Sequence, residues 1–203
     1  MTTRDVTSAA DARRSAPLGR FLSPVALLAL MWLVQFVDAV LPGSFSGFGL
    51  RSWDPAGLGG IVIGPLLHAN WAHLIANSVP LLVLGCLVAV EGARRFWAVT
   101  AMVAVIGGLG TWVFNVPGTL TVGASGLVFG YFGYVVLRVF APGRVAHRIL
   151  YAVVAVVVIA LYGGSMLAGV VGVREGISWQ AHLFGAIGGG VAALSGRRGR
   201  RSP

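Results

Sequence analysis

The stretch His68-Ala-Asn-Trp-Ala-His73-Leu-Ile-Ala-Asn77 runs directly into Ser78-Val-Pro-Leu-Leu-Val-Leu-Gly-Cys-Leu-Val-Ala-Val90, and from Trp71 to Val90 it contains no Asp, Glu, Lys or Arg. A helix of about 20 mainly apolar residues is long enough to cross the hydrocarbon core of a bilayer. His73 and Asn77 stand at i and i+4, so they share one face of that helix. A polar group at membrane depth costs several kcal/mol unless it is paired or faces a cavity, and is read first as a functional site. Two other apolar runs carry the same signature: Gly123-Ala124-Ser125-Gly126 and Ala181-His182-Leu-Phe-Gly185.

The composition agrees with a polytopic membrane protein. Hydrophobic residues make up 57% of the 203 positions and charged residues only 10%. The 30 glycines follow no Gly-X-Y period and suit close helix packing in lipid. Spans are expected over Pro24–Leu41, Trp71–Val90, Phe96–Val116, Val122–Phe140, Ile149–Val171 and Ser178–Leu194. Residues 42–67, rich in glycine and holding Trp53 and Asp54, read as a long structured loop. Residues 1–20 read as a disordered cytoplasmic tail, 21–195 as a six-helix membrane domain and 196–203 as a basic cytoplasmic tail. Cys86, the lone cysteine, reads as a packing residue and allows no intramolecular disulfide.

A net charge of +9 could suggest a nucleic-acid partner, but the positions of the basic residues say otherwise. All 15 are arginine, and they fall between the apolar runs. Arg4, Arg13, Arg14, Arg20, Arg94, Arg95, Arg138, Arg144, Arg148, Arg197, Arg198, Arg200 and Arg201 lie on one side of the six expected spans. Only Arg51 and Arg174 lie on the other. The positive-inside rule then places both termini in the cytoplasm. In that topology helices two, four and six all enter from the outer side, bringing His73, Asn77, Ser125 and His182 to one outer-leaflet level. Ser125 is expected about one turn inside its helix.

Residue type suggests the chemistry. A serine hydroxyl is a weak nucleophile until a base takes its proton, and imidazole is the usual base. Ser125 and His182 fit those roles. The unpaired N–H groups at the start of helix four favour negative charge, with Gly123 and Gly126 leaving that backbone open. His73 and Asn77 can offer side-chain donors, while His68 reads as a residue that shapes the loop before helix two. Gly126, Gly130 and Gly133 on helix four and Gly185 and Gly189 beside His182 on helix six form faces that permit close contact. Each polar group also has a plainer reading: Ser125 bonding its own i−4 carbonyl, His182 an interhelical hydrogen bond, His73 and Asn77 a loop clamp. Asp38 and Glu91 do not complete a triad. No His-Glu-x-x-His pattern points to a metal, and no cofactor is expected.

At His68-x4-His73-x3-Asn77, Gly123-Ala-Ser125-Gly126 and Ala181-His182-x2-Gly185-x3-Gly189, in that order over about Pro65 to Leu194, the chain resembles the rhomboid intramembrane serine proteases. The resemblance implies a six-helix all-α bundle and a Ser125/His182 dyad in a water-filled cavity open to the outside. It also implies an oxyanion hole made by the Ser125 N–H with His73 and Asn77, and no metal or cofactor. The implied partners are transmembrane protein substrates in the lipid bilayer, and the all-arginine, Ala/Val/Gly-rich composition points to a high-GC bacterial genome and hence to a plasma membrane. Two features depart from the family pattern. Phe129 stands where many members carry a tyrosine stacked on the catalytic histidine, and the first loop reads Arg51-Ser52-Trp53-Asp54 where many hold a Trp-Arg pair. Two other classes remain alongside the protease: a non-catalytic client-binding protein on the same fold, and a small transporter.

Overall fold

A computed structural model describes residues 19–140, 145–171 and 176–195. The expected tails therefore lie outside the described residues apart from Gly19 and Arg20, as do Arg144 and Arg174. Six long helices account for most of the described chain: α1 (Leu22–Val40), α2 (Trp71–Ala89), α3 (Ala93–Phe114), α4 (Ser125–Leu137), α5 (Val145–Val171) and α6 (Trp179–Leu194). Three of them, α1, α2 and α3, are long and apolar enough to cross a membrane. At 1.5 Å per residue the 13 residues of α4 reach only about 20 Å.

The helices pack around α4, which touches α2, α3, α5 and α6. From Leu127 to Val135 nearly every residue of α4 is buried, with Tyr131 and Tyr134 fully enclosed. Around them lie Leu81, Leu84, Phe96, Val99 and Val103. The outer surface is the reverse of a soluble protein's: Leu33, Phe36, Val79, Val156, Leu161 and Leu167 are exposed. Large contiguous apolar surfaces of this kind are the ones lipid covers.

The loop over 42–67 is structured, as expected, by short helical turns at Phe45–Phe48, Pro55–Gly59, Gly60–Ile63 and Gly64–Leu66. Asp38 holds its start by accepting a hydrogen bond from the Phe45 N–H, and the Asp54 carboxylate accepts from the Ala56 N–H at 2.9 Å. One element departs from an all-α reading. β1 (Leu50–Arg51) pairs antiparallel with β2 (Leu120–Thr121), Leu50 opposite Thr121 and Arg51 opposite Leu120. Residues 120–121 are thereby extended, Gly123 turns at φ +113°, and α4 starts at Ser125. Ser125 is thus the first residue of its helix, where the sequence led us to expect it a full turn inside.

At the opposite end of α4 a polar cluster ties α3, α4, α5 and α6 to the end of α2. Glu91, just past α2, accepts from the Tyr134 hydroxyl on α4 at 2.7 Å, the Tyr151 hydroxyl on α5 at 2.7 Å, and Arg138 Nε and Nη2 at 2.7 and 2.8 Å. Arg95 of α3 donates to Tyr134 and to the Ala192 carbonyl near the end of α6. Burial alone would raise the Glu91 carboxyl, but the hydrogen bonds from Arg138, Tyr134 and Tyr151 outweigh it and hold the group below its usual range. The folded state thus binds fewer protons here than the unfolded chain. The stabilisation is complete at neutral pH and is lost as pH falls through the carboxylate range. Thermal unfolding in detergent should show a Tm that drops between neutral pH and about pH 4, and Glu91→Gln should flatten that drop while lowering the neutral Tm. An unchanged pH profile in the variant would rule out Glu91 as its source.

Candidate active site

Ser125 and His182 meet. The hydroxyl Oγ lies 2.9 Å from His182 Nε2, across 57 residues of sequence. Backbone contact makes this possible. A Cβ added at Gly126 would lie 3.4 Å from the Ala181 carbonyl oxygen, and one at Gly133 would lie 2.5 Å from the Ala186 carbonyl oxygen. A Cβ at Gly189 would lie 2.6 Å from the Gly130 carbonyl carbon. The two glycine faces expected from the sequence thus sit against one another, α4 on α6, with no side chain between them.

His182 is 7% exposed and is held on three sides. Phe129, one turn after Ser125, stacks on its ring with centroids 3.9 Å apart and planes 6° from parallel. Its Nδ1 lies 2.8 Å from the carbonyl oxygen of Gly169 on α5. Upstream, Ser178 caps α6 by accepting from the Ala181 N–H at 3.2 Å, which fixes the turn that presents His182.

Ser125 stands where a helix has spare donors. Its N-cap, Ala124, has no side chain able to cap the first turn, so the N–H groups there are open to a ligand. Two contacts position the approach to Ser125. The Gly123 N–H donates to the Gly64 carbonyl at 3.0 Å, and the Ala124 N–H donates to His68 Nε2 at 3.4 Å. His68 can accept only while neutral. Burial, reinforced by the nearby His73, pushes its pKa down to about 4, so it stays neutral at physiological pH.

The ring of His73 lies over Gly123, where an added Cβ would come within 2.7 Å of His73 Nε2. It also meets the His68 ring edge-on, centroids 5.1 Å apart. Asn70 caps α2 by accepting from the His73 N–H at 2.9 Å. One turn on, Asn77 is 7% exposed and its amide Nδ2 is buried with no hydrogen-bond partner among the described residues. A buried amide donor without a partner costs about 1–3 kcal/mol, so it is suited to a group that arrives later. All the residues singled out in sequence therefore gather near Gly123–Ser125 except Asn77, whose contacts leave its donor free. Asp38 and Glu91 are engaged elsewhere. Gly169 had no signal in the sequence, because it contributes only a backbone carbonyl.

Fold and polar centre together define an integral membrane protein with a hydroxyl–imidazole pair in its interior. The Rhomboid domain model matches residues 55–198, and the chain belongs to the rhomboid family, whose members are intramembrane serine proteases. Among its relatives are an uncharacterized protein of Mycobacterium tuberculosis, 42% identical over 82% of this chain and 70% of that protein, and one of Mycobacterium leprae, 43% identical over 82% and 67%. A Bacillus subtilis protein, provisionally named a rhomboid protease, is 32% identical over 61% of this chain and 60% of its own length.

Proposed function

We propose that this protein is an intramembrane serine endopeptidase that cleaves other membrane proteins within or beside their transmembrane helices, near the outer face of a bacterial plasma membrane. In this reading all six helices of the domain at 21–195 cross the bilayer and both termini are cytoplasmic, as the arginine distribution supports. The observation that carries the chemistry is the 2.9 Å contact between Ser125 Oγ and His182 Nε2.

As Ser125 Oγ attacks the scissile carbonyl carbon, Nε2 takes the hydroxyl proton. The carbonyl π electrons move to oxygen, giving a tetrahedral oxyanion. His182 then returns the proton to the leaving amide nitrogen as the C–N bond breaks, and a water repeats the sequence on the acyl-enzyme. In this reading the oxyanion falls beside the first turn of α4, with the Ser125 N–H and the His73 ring as donors, and Asn77, one turn along α2 from His73, adds its Nδ2, which has no partner among the described residues. A helix cannot present its carbonyl to Ser125 without unwinding, so clients with small, helix-breaking residues near the outer face are preferred. A client-binding role without cleavage would need no hydroxyl–imidazole contact.

Labelling by a serine-directed phosphonate, together with cleavage of a transmembrane reporter in liposomes, tests the reading directly. Wild type that neither labels nor cleaves would exclude it. Within it, Asn77→Ala should lower kcat by about 10²- to 10³-fold, the usual effect of losing one oxyanion donor, with little change in KM. A KM effect alone would remove Asn77 from the oxyanion hole.

A further inference from the structure

We propose that a backbone carbonyl of α5 does for His182 what an acid would do, no acid being bonded to it among the described residues: the carbonyl of Gly169 fixes the tautomer of His182 and stabilises the imidazolium that forms when Ser125 gives up its proton. This rests on the protease reading above.

The 2.8 Å contact between Gly169 O and His182 Nδ1 has only one chemical solution. A carbonyl oxygen accepts and never donates, so Nδ1 must carry the hydrogen. In a neutral imidazole Nε2 is then the bare nitrogen, and Nε2 is the atom facing Ser125 Oγ. The tautomer that can act as a base toward Ser125 is therefore selected by a backbone atom. In a serine–histidine–aspartate site that selection is made by the carboxylate.

The carbonyl has a second property. Gly169 lies two residues before Val171, the last described residue of α5, and its carbonyl oxygen carries the negative end of the peptide dipole. A positive imidazolium is favoured beside such an oxygen, and the Nδ1–H bond to Gly169 becomes charge-assisted as the proton arrives. Glycine is required by the approach. A Cβ at residue 169 would come within 2.6 Å of Phe129 Cζ and 3.0 Å of His182 Nδ1, the groups that clamp the imidazole. Gly169 is thus a positioning residue, and its action depends on α5 being docked. Tyr151, earlier on the same helix, is bonded to Glu91 at the far end of the bundle.

The test must weaken the carbonyl without changing shape. Replacing Val170 by its α-hydroxy acid converts the 169–170 amide to an ester, whose carbonyl is a poorer acceptor with nearly the same geometry. In the full-length protein this should lower kcat on the transmembrane reporter on the order of tenfold, as expected for weakening a hydrogen bond to a charged group, with KM unchanged. Nitrogen-15 NMR of labelled histidine should show the Nδ1–H tautomer of His182 in wild type and a mixture with Nε2–H in the ester. Gly169→Ala should lose activity more severely, with the ester deciding the matter should the alanine variant fold poorly. An ester protein with wild-type kcat, or with reduced kcat but an unshifted tautomer, overturns the proposal. Wild type that fails to label with phosphonate instead overturns the protease reading, so the two failures are separable.

Discussion

Ser125→Ala and His182→Ala are each expected to reduce reporter cleavage by about 10⁴-fold or more, and the double variant is expected to be no worse than either alone. The reason is that the hydroxyl and imidazole, 2.9 Å apart, act as one unit. Without the base, the serine is barely nucleophilic at neutral pH. Without the serine, the base has no nucleophile to activate. Phosphonate labelling should vanish in both single variants. The measurement is single-turnover cleavage in liposomes, with Tm recorded to show that each variant is folded. The close backbone approach of α4 and α6 at their glycines remains in either variant, so the Tm should change little. Multiplicative losses in the double variant would mean that the two residues act in separate steps, and the dyad would fall.

Gly189→Val should be the most damaging single change to the fold itself. An added Cβ lies 2.6 Å from the Gly130 carbonyl carbon and 2.9 Å from the Tyr134 backbone nitrogen, both backbone atoms that cannot rotate aside. Overpacking typically costs 1–3 kcal/mol and more where the backbone must move, so a loss of about 3 kcal/mol is expected. A Tm drop of roughly 10 °C follows for a chain of this size, along with loss of activity as Ser125 and His182 separate. Gly164→Ala is the matched control. It sits inside α5 with nothing within 4 Å of the added methyl, and should leave Tm unchanged or slightly raised. Equal behaviour of the two variants would show that the glycine seam does not hold α4 against α6.

The parts of this molecule legible in sequence were those written in side-chain type and period. The helices could be placed because uncharged runs are punctuated by arginine. The α4–α6 contact could be placed because glycines recur at Gly126, Gly130 and Gly133 and at Gly185 and Gly189. His182 and Ser125 stood out because polar groups are costly among apolar neighbours. What escaped was made by the backbone. A two-residue ladder between Leu50–Arg51 and Leu120–Thr121 has no periodicity to detect. It nevertheless sets the start of α4 and moves Ser125 from inside the helix to its first position. The Gly169 carbonyl has no side chain to announce it. Of the Glu91 cluster, the sequence showed only an acid that completes no triad. Its partners Tyr134, Arg138 and Tyr151 are brought in by three-dimensional packing, from 43 to 60 residues away.

The glycine seam also bears on how such a site can be controlled. With main-chain atoms meeting across the glycines of α4 and α6, the backbone separation of Ser125 and His182 has little room to change. Altering it would mean pulling two helices apart against their tightest contact. On the protease reading, nucleophile and base already stand in contact, 2.9 Å apart, before any client arrives. On that reading, restraint over cleavage falls to whether a client can reach Ser125 and whether it will unwind when it arrives.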